Sequence, residues 1–512
     1  MALQPIQRLH VILYAAGVLS TCLFFIAVYS RSGLKTLQES ALNTKRIVRP
    51  YQEDQKAQAI RRLRNFYLTN ISDSVRLELA ADRVAWQPVS GLGSITFVHA
   101  ALWLGNNVRI LVVKPPKVAE TSIFCVLWYT TIHDSNFTIV KAHVVNLPDH
   151  HQKDTCAYIK CPVKQIKKKK KNVAPLYVGL TNANNLTAHY SVLIPVENRE
   201  MDPDKFFKEG ISIRQSSQKV SSNASGKVLN KPRVVEFTVC MPAVFQYSNA
   251  AQLVEKLEMV RLLGAGRVVL YKTSVKPNVE TVLRLYTSEW AAGRETLELV
   301  VHSWRQPPPK VHYRGQLGAV DDCLHRYGWL SRYMVFDDLD ELIIPLRHAN
   351  WSQLIAERER LHPGRAAFMF RCSVMNADHS SPADGFRQDA IRYGSSVLSL
   401  TQRDDFIFPP ADRSKLIVDP RRTNDLAVHY MYRGTKITDV IPVDQGLLYH
   451  YRGRPIRLCL PQVSDNRVAT IFGERLSARL KAIWSRLKGV ALGWLPPPER
   501  ANSHTPSCKH QS

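Results

Sequence analysis

The hydrophobic pattern of this chain begins with one long apolar run near the N-terminus. Residues Val11 to Tyr29 read VILYAAGVLSTCLFFIAVY and contain no charged side chain. As a helix they would extend about 28 Å, which is close to the thickness of a hydrocarbon core. A cleaved signal peptide is the alternative, but its apolar region is usually about 7–15 residues long and a small-x-small cleavage site would follow. The pattern therefore predicts an uncleaved transmembrane signal anchor at 11–29, behind a cytoplasmic tail at 1–10.

The region after the predicted anchor changes its pattern twice. Residues 30–85 are polar and charged, which is typical of a stem. Between 86 and 200, short runs such as SITFVHAALWL, VRILVVK and IFCVLWYTTI are rich in Val, Ile, Thr and aromatic residues. Regularly spaced short strands favour a small β-sandwich-like accessory domain. Residues 201–230 are again polar and predict a linker.

From residue 231 the pattern alternates between apolar strands and amphipathic helices. The predicted strands are 234–239, 267–271, 297–301 and 333–336, and the predicted helices follow Asn249, follow Asn278 and cover 316–327. Asn249 can cap the first helix with Gln252 in the reciprocal capping-box position, and Gly264 ends that helix. Repeated βα units indicate an α/β, Rossmann-type domain over 231–465 with a mainly parallel sheet, and such sheets bind ligands at the carboxyl ends of their strands.

Four carboxylates follow the fourth predicted strand of this domain. They are Asp337, Asp338, Asp340 and Glu341. In extended backbone the side chains at positions i and i+2 point the same way, so Asp338 and Asp340 would face one point. Carboxylate oxygens suit Mn²⁺ or Mg²⁺, which bridge to phosphate oxygens. The pattern predicts a metal site that holds the diphosphate of a nucleotide-sugar; the alternative is an acidic turn neutralised by nearby Arg or Lys.

The formal net charge of +26 is unusually high for the length of 512 residues. Such an excess attracts phosphates of nucleic acid, lipid or nucleotides. Exposed basic loops are the simpler explanation, and the lysine run 167–171 supplies part of the charge. The apolar run and the absence of a recognised nucleic-acid motif argue against a nucleic-acid binder.

Glycosylation sequons and cysteines follow the predicted anchor. The Asn-x-Ser/Thr sites are Asn70, Asn136, Asn185, Asn223 and Asn350. Eight of the nine cysteines also lie after the run; they could form up to four bridges, and the sequence cannot choose among the pairings. No Cys-x-x-Cys pair occurs, which argues against a zinc ribbon. Both features favour a lumenal location for the α/β domain.

Several short motifs in the α/β domain together resemble a known enzyme family. They are Cys240-Met241-Pro242, Tyr271, Tyr313-Arg314-Gly315-Gln316, Asp322-Cys323, Asp338-Leu339-Asp340-Glu341, Lys415-Leu416-Ile417-Val418, Val428-His429 and His450-Tyr451-Arg452. In this order they resemble glycosyltransferase family 92, whose animal members include β-1,4-galactosyltransferases. The resemblance implies a GT-A type fold and a Golgi type II membrane topology. It also implies inverting transfer of galactose from UDP-galactose to glycans of glycoproteins.

The resemblance and the acidic cluster together give a set of candidate site residues. The predicted metal ligands for Mn²⁺ or Mg²⁺ are Asp338, Asp340 and His450, with His429 as the alternative histidine. The predicted donor-binding residues are Cys240, Met241, Pro242, Tyr271, Gln316, Glu341, Lys415 and Arg452. An inverting transferase needs a carboxylate base; we favour Asp404 or Asp405, and Asp378 and Asp384 stay open.

The C-terminal segment 466–512 predicts a basic helix followed by a disordered tail. The helix would span about Val468 to Trp494 and pack on the α/β domain, with membrane contact as the alternative. A different function on the same scaffold would be a membrane-anchored carbohydrate-binding protein without catalysis. That function predicts a broken metal pair, whereas Asp338 and Asp340 are both present.

Overall fold

The computed structural model describes the accessory region, the α/β domain and the C-terminal helix. The described residues are 86–89, 96–115, 123–129, 136–148, 154–163, 173–182, 193–197, 233–305, 307, 311–376, 382–435, 437–452 and 461–493. The predicted tail, anchor, stem and linker lie outside these residues, as do the predicted disordered tail and the sequons Asn70, Asn185 and Asn223. Within the described ranges no helix has the length and apolar character needed to cross a membrane.

The described residues of the accessory region form nine strands. They are β1 (Gln87–Val89), β2 (Thr96–Trp103), β3 (Asn107–Lys114), β4 (Ile123–Trp128), β5 (Phe137–Lys141), β6 (His143–Asn146), β7 (Thr155–Pro162), β8 (Tyr177–Asn182) and β9 (Ile194–Glu197). They form a single hydrogen-bonded sheet in the order β5-β4-β8-β9-β2-β3-β7-β6, with β1 on β2. A disulfide joins Cys125 on β4 to Cys161 on β7 although four strands separate them in the sheet. The predicted β-rich accessory region is confirmed: its strands follow one hydrogen-bonded path that bends back on itself around a shared core.

The α/β domain begins with four parallel strands. These are β10 (Val235–Val244), β11 (Ala265–Lys272), β12 (Glu298–Ser303) and β13 (Ser331–Phe336), connected by α1 (Ala250–Leu263), α2 (Pro277–Ala291) and α3 (Gln316–Tyr327). Their order in the sheet is β12-β11-β10-β13, and all neighbours are parallel. The α/β class is confirmed. Three further strands, β18 (Lys415–Val418), β15 (Ala367–Phe370) and β21 (Thr438–Val440), extend the sheet beyond β13, and β18 runs antiparallel to it.

Local sequence features explain where the first helices begin and end. The side chain of Asn249 accepts a hydrogen bond from the backbone N–H of Gln252, and α1 ends at Gly264 with φ of 112°. The capping box is not reciprocal, because Gln252 Oε1 accepts the Tyr247 hydroxyl instead. Helix α2 begins at Pro277 rather than after Asn278. Proline is favoured at a first helical position because its missing N–H would have had no helical partner.

A second sheet packs beside the first and continues the chain beyond the acidic cluster. It contains β14 (Glu341–Pro345), β16 (Cys372–Met375), β17 (Gln402–Ile407), β22 (Gly446–Tyr451) and β23 (Gln462–Ser464) in the order β14-β22-β16-β17-β23. The hairpin β19 (Thr423–Leu426) and β20 (Met431–Gly434) stands apart from both sheets. Three helices follow the sheet strands in sequence: α4 (Trp351–Leu361) contacts β14, whereas α5 (Arg387–Tyr393) and α6 (Ser396–Ser399) pack with each other and with the C-terminal helix. Asn350 caps α4 through its side chain, and Asn136 is exposed; glycosylation of either stays a prediction.

The predicted basic helix is present as α7 (Arg467–Arg486). It buries Leu476, Leu480 and Ile483, and it packs on α1. On its polar side Arg479 donates to Glu258 Oε2 of α1 at 2.7 Å. The helix therefore packs on the α/β domain, as the amphipathic pattern predicts, although it ends eight residues before Trp494.

The accessory sheet and the α/β domain share a continuous core. Trp86 lies edge-on to Trp304, with ring centroids 5.4 Å apart, and its Nε1 donates to the Arg305 carbonyl oxygen at 2.8 Å. Leu111 and Tyr158 of the sheet belong to the same buried cluster as Leu317 of α3. The accessory sheet is therefore fixed against α3, the helix that leads into the acidic strand end.

Candidate functional site

The acidic cluster lies in a tight turn between β13 and β14, at the carboxyl edge of the parallel strands. The backbone N–H of Glu341 donates to the Asp338 carbonyl oxygen at 3.2 Å, and the N–H of Asp338 donates to Glu341 Oε2 at 3.0 Å. The backbone is thus turned rather than extended, which corrects the alternation argument. The side chains of Asp338 and Asp340 are 32% and 35% exposed, whereas Asp337 and Glu341 are buried. The turn still presents the two predicted ligands to solvent.

The two buried carboxylates of the turn are compensated by lysines. Lys256 of α1 donates to Asp337 Oδ2 at 2.6 Å. Burial raises the pKa of Asp337, and the ammonium of Lys256 opposes that rise. Burial also raises the pKa of Glu341 to about 7, against the opposing charge of Lys415, whose Nζ lies 3.3 Å from Glu341 Oε2. Four carboxylates within five positions repel one another, and these ion pairs offset that repulsion, so the turn stays folded.

Asp338 is held by two residues that the sequence analysis assigned to donor binding. Lys415 Nζ donates to Asp338 Oδ2 at 2.9 Å, and Gln316 Nε2 donates to Oδ1 at 3.1 Å. Burial would lower the pKa of Lys415, but Asp338 and Glu341 raise it well above its usual value. Gln316 is the first residue of α3, and Lys415 is the first residue of β18. The structure therefore brings Gln316, Glu341 and Lys415 together around Asp338.

Asp340 pairs with the predicted histidine ligand. Strand β22 runs antiparallel to β14 with His450 opposite Glu341, and His450 Nε2 lies 3.1 Å from Asp340 Oδ2. Burial opposes the charged form of both groups, but their mutual interaction lowers the pKa of Asp340 and raises that of His450. The other predicted histidine, His429, has its Nδ1 3.2 Å from the carbonyl oxygen of Ser414.

The Asp340–His450 pair fits a divalent cation. Two ligand atoms at about 2.1 Å from one ion and at right angles to each other are about 3.0 Å apart. The observed 3.1 Å between Asp340 Oδ2 and His450 Nε2 matches this separation. The other ring nitrogen of His450, Nδ1, lies 3.6 Å from Glu341 Oε1, so the imidazole stands between two carboxylates. The distance permits Asp340 and His450 to share a cation, and the assignment of Asp338, Asp340 and His450 as metal ligands stays a prediction.

Other predicted donor-binding residues have structural contacts in the described fold. Cys240 forms a disulfide with Cys323, which ties β10 to α3. Met241 is buried, and the buried Tyr271 donates its hydroxyl to Asp322 Oδ2 at 2.6 Å. Pro242 is half-buried and Arg452 is exposed. None of these contacts reaches the acidic turn, and the donor-binding roles of these residues stay predictions.

The predicted base candidates lie on the second sheet. Asp404 is buried and accepts from Gln462 Nε2 at 2.7 Å, whereas Asp405 is exposed. Their strand, β17, pairs with β16, which pairs with β22, so they lie about 10 Å from His450 across two strand spacings. Asp384 is exposed, and Asp378 lies outside the described residues. The assignment of a base stays a prediction.

A second cluster of ligand-type side chains lies between α3, β19 and the accessory sheet. Atoms of Asp321, His325 and Asp425 lie within 4.8 Å of one another, and this is the one such group of three in the described ranges. However, the Arg109 guanidinium already bridges the two carboxylates: it donates to Asp425 Oδ1 at 2.7 Å and also to Asp321. A bound cation would have to displace this buried guanidinium, so the cluster is a structural ion-pair network.

A cavity that the sequence analysis missed opens beside Asp340. It lies between α1, the acidic turn, β22 and α6, and its lining includes Gln252, Glu255 and Tyr451. The charged residues Glu255, Lys256 and Glu258 are all buried within the largely apolar α1. Two of them, Glu255 and Lys256, line the cavity, and charged residues in a buried helix are the sequence signal that could have pointed to this side of the site.

A known protein family matches the part of the chain that contains this site. The family model "Glycosyltransferase family 92" matches residues 235–468. A family 92 protein of Caenorhabditis elegans is 22% identical over 291 residues, covering 50% of this chain and 56% of that protein. A β-1,4-galactosyltransferase of Caenorhabditis elegans is 26% identical over 114 residues, covering 22% of this chain and 26% of that protein. The chain thus spans about half, or less, of the length of these curated relatives.

The chain is also similar to a plant protein and to a solved structure. A galactan β-1,4-galactosyltransferase of Arabidopsis thaliana is 30% identical over 118 residues, covering 23% of this chain and 21% of that protein. A solved glucosyl-3-phosphoglycerate synthase from Mycobacterium tuberculosis is 11% identical and covers 53% of this chain and 88% of that chain, with a TM-score of 0.23.

Proposed function

We propose that the protein is a metal-dependent hexosyltransferase that uses a nucleotide-sugar, because its residues 235–468 belong to glycosyltransferase family 92. Galactose from UDP-galactose, a β1,4 linkage and an acceptor glycan of a glycoprotein are the specific substrates and product that we propose. The similarity to β-1,4-galactosyltransferases of a nematode and a plant supports this choice of sugar and linkage. We also propose a GT-A type arrangement and a single-pass Golgi location with the anchor at 11–29.

The observation that carries this proposal is the pairing of Asp340 with His450 at the carboxyl edge of the parallel strands. This edge is where open α/β sheets bind nucleotides. Asp340, His450 and Asp338 would hold Mn²⁺ or Mg²⁺, which supplies a Lewis acid for the charge of the departing diphosphate. Lys415 is held charged 2.9 Å from Asp338 and adds a fixed positive charge on the same side.

The remaining steps of the transfer depend on residues that position the reactants. Gln316 orients Asp338 by its hydrogen bond at 3.1 Å, and the disulfide of Cys240 with Cys323 fixes the helix that carries it. An inverting reaction needs a carboxylate to take the proton of the attacking acceptor hydroxyl. Asp404 and Asp405 are our candidates for that base.

The decisive experiment measures transfer by the full-length protein. It would be incubated with a panel of UDP-sugars, Mn²⁺ and galactose- or fucose-terminated glycans, and the added hexose would be detected by mass. Asp340→Asn should lower transfer by roughly 10²–10³-fold, because the cation loses a carboxylate ligand. Asp444→Asn is the matched control: Asp444 is a carboxylate in an exposed ion pair with Arg347, and its loss should leave the rate unchanged.

Two results would contradict the proposal. Transfer that persists in Asp340→Asn would remove the metal assignment. Binding of glycans by the unchanged protein without any transfer would favour the carbohydrate-binding function instead.

A further inference from the structure

Left-handed backbone at residues other than glycine is concentrated around the acidic turn. Five such residues have a positive φ in the described ranges, and they lie in three loops: Gln246, Tyr313, Arg314, Ala411 and Arg413. The first loop follows β10 at the carboxyl edge of the parallel strands. The other two lead into Gln316 and Lys415, the residues that hold Asp338. Strained backbone persists where the surrounding structure enforces it, and it clusters at ligand-binding sites.

Tyr313 combines this strain with exposure to solvent. Its φ of 39° and ψ of 47° are unfavourable for a bulky side chain, and glycine would adopt the same backbone at a lower cost. Tyr313 is 74% exposed, the highest value among the large hydrophobic residues of the described ranges. Its ring stands edge-on to that of His312, with centroids 4.4 Å apart. Burial in a core therefore does not explain why a tyrosine occupies this position.

The backbone that carries Tyr313 is fixed by its neighbours. Trp304 Nε1 donates to the Arg314 carbonyl oxygen at 3.1 Å. The Arg314 guanidinium lies 3.5 Å from the centroid of the Phe245 ring, in the loop that follows β10. Gly315 continues the left-handed backbone with φ of 79°. The loop is thus anchored to the carboxyl edge of the sheet, whereas the Tyr313 ring projects into solvent.

The remaining exposed aromatic residues of the described ranges lie on the β19–β20 hairpin. They are Tyr430 and Tyr432, each 39% exposed. His429, next to Tyr430, has its Nδ1 3.2 Å from the carbonyl oxygen of Ser414, which precedes Lys415. Exposed aromatic rings therefore accompany both segments that hold the acidic turn.

Exposed aromatic rings beside a site of group transfer suit a carbohydrate. One face of a pyranose ring carries mainly C–H groups, which pack on the electron-rich face of an aromatic ring while the hydroxyls stay in water. A nucleotide-sugar is expected in a pocket that buries most of its surface, whereas an acceptor glycan attached to a protein stays largely in solvent. A tyrosine that is 74% exposed therefore fits the acceptor better than the donor.

We propose that Tyr313 is a stacking platform for a sugar ring of the acceptor glycan. The inference rests on the proposed function. Tyr313 precedes Gln316 by three residues, so their Cα atoms are at most about 11 Å apart. Gln316 donates to Asp338 at 3.1 Å, which places the platform beside the candidate metal site. A glycan on this ring is therefore held where its hydroxyl can approach the sugar to be transferred.

The test removes the ring in two ways and keeps it in a third. Tyr313→Ala deletes the ring, Tyr313→Gly deletes it and also relieves the left-handed strain, and Tyr313→Phe keeps the stacking face. Ile437→Ala is the control, because Ile437 is 72% exposed and precedes β21 at the opposite edge of the sheet. For the full-length protein one would measure the unfolding temperature, the KM of the UDP-sugar donor and the KM of the best galactose- or fucose-terminated acceptor.

We expect the acceptor alone to be affected. Tyr313→Ala and Tyr313→Gly should raise the acceptor KM by about 3–10-fold, the loss expected for one aromatic contact, and leave the donor KM unchanged. Tyr313→Phe and Ile437→Ala should change neither KM. Tyr313→Gly should keep or raise the unfolding temperature, because glycine adopts a positive φ without strain. Weaker acceptor binding by a protein that is no less stable excludes a purely structural role for the ring.

The outcomes separate this inference from the proposed function. If the unchanged protein transfers hexose but neither Tyr313→Ala nor Tyr313→Gly raises the acceptor KM, the platform is wrong and the enzyme assignment stands. A rise in the donor KM instead would assign the ring to the nucleotide-sugar and would also overturn the inference. If the unchanged protein transfers no hexose to any acceptor of the panel, the proposed function fails and the platform fails with it.

Discussion

Two acidic clusters of this protein contain the same types of side chain but differ in what surrounds them. At the interface with the accessory sheet, the side chains of Asp321, Asp425 and Arg109 are 4%, 0% and 6% exposed. At the turn after β13, those of Asp338 and Asp340 are 32% and 35% exposed. Both clusters include a histidine, but the guanidinium of Arg109 closes the first, whereas the second lies open beside a cavity.

The comparison teaches that proximity of ligand-type atoms does not by itself define a metal site. The interface cluster meets a simple distance criterion for three ligands, but its charges are already neutralised in a dry environment. At the turn cluster His450 lies between Asp340 and Glu341, and the side chain of Asp340 stays accessible to solvent. Asp340 can therefore be reached from solvent, whereas Asp321 and Asp425 are covered by the buried guanidinium of Arg109.

The largest expected effect comes from opening the closed cluster. Arg109→Leu leaves Asp321 and Asp425 buried without their main counter-charge, and it should lower the free energy of unfolding by about 3–5 kcal/mol. Arg109 also stacks over the Tyr158 ring at 3.3 Å, so the packing of the accessory sheet weakens as well. Urea denaturation would measure the loss. Arg347→Leu, in an exposed ion pair, is the control and should cost below about 1 kcal/mol; equal losses in both variants would contradict the comparison.

An intermediate effect comes from adding a cation to the open cluster. Mn²⁺ at about 100 times its dissociation constant should stabilise the unchanged protein by about 2.7 kcal/mol, measured as a rise in the unfolding temperature. Asp340→Asn should lose this rise, because it removes a ligand. Asp321→Asn should keep it, although its starting stability is lower. The reverse pattern would assign the cation to the interface cluster.

The smallest expected effect concerns acid and the interface. Burial lowers the pKa of His99, which packs against Trp304 with ring centroids 4.5 Å apart, to about 4. The unfolded state then binds more protons between about pH 6.5 and pH 4, so stability falls as the pH falls through that window. His99→Phe keeps a ring and should remove about 1–2 kcal/mol of the loss between pH 7.5 and pH 5. Denaturation of both proteins at the two pH values would measure it, and identical slopes would show that His99 does not contribute.

Local features of the sequence predicted much of the α/β domain. Helix α3 has the predicted bounds 316–327, and α1 begins after Asn249 and ends at Gly264. These features act within a few residues, through caps, left-handed glycine and the spacing of apolar side chains. The bending of the accessory sheet was not predictable in the same way, because the strands joined by the Cys125–Cys161 disulfide meet only through distant pairing.

By itself, the sequence determined the order of the elements, the position of the acidic turn after the fourth strand and the types of side chain available there. Only the tertiary structure decided which of those side chains meet. His450 reaches Asp340 across 110 residues, and Arg109 reaches Asp425 across 316 residues. The physical reason is that strand register and the docking of the accessory sheet set these distances, and with them which carboxylates a guanidinium neutralises and which remain open to a cation.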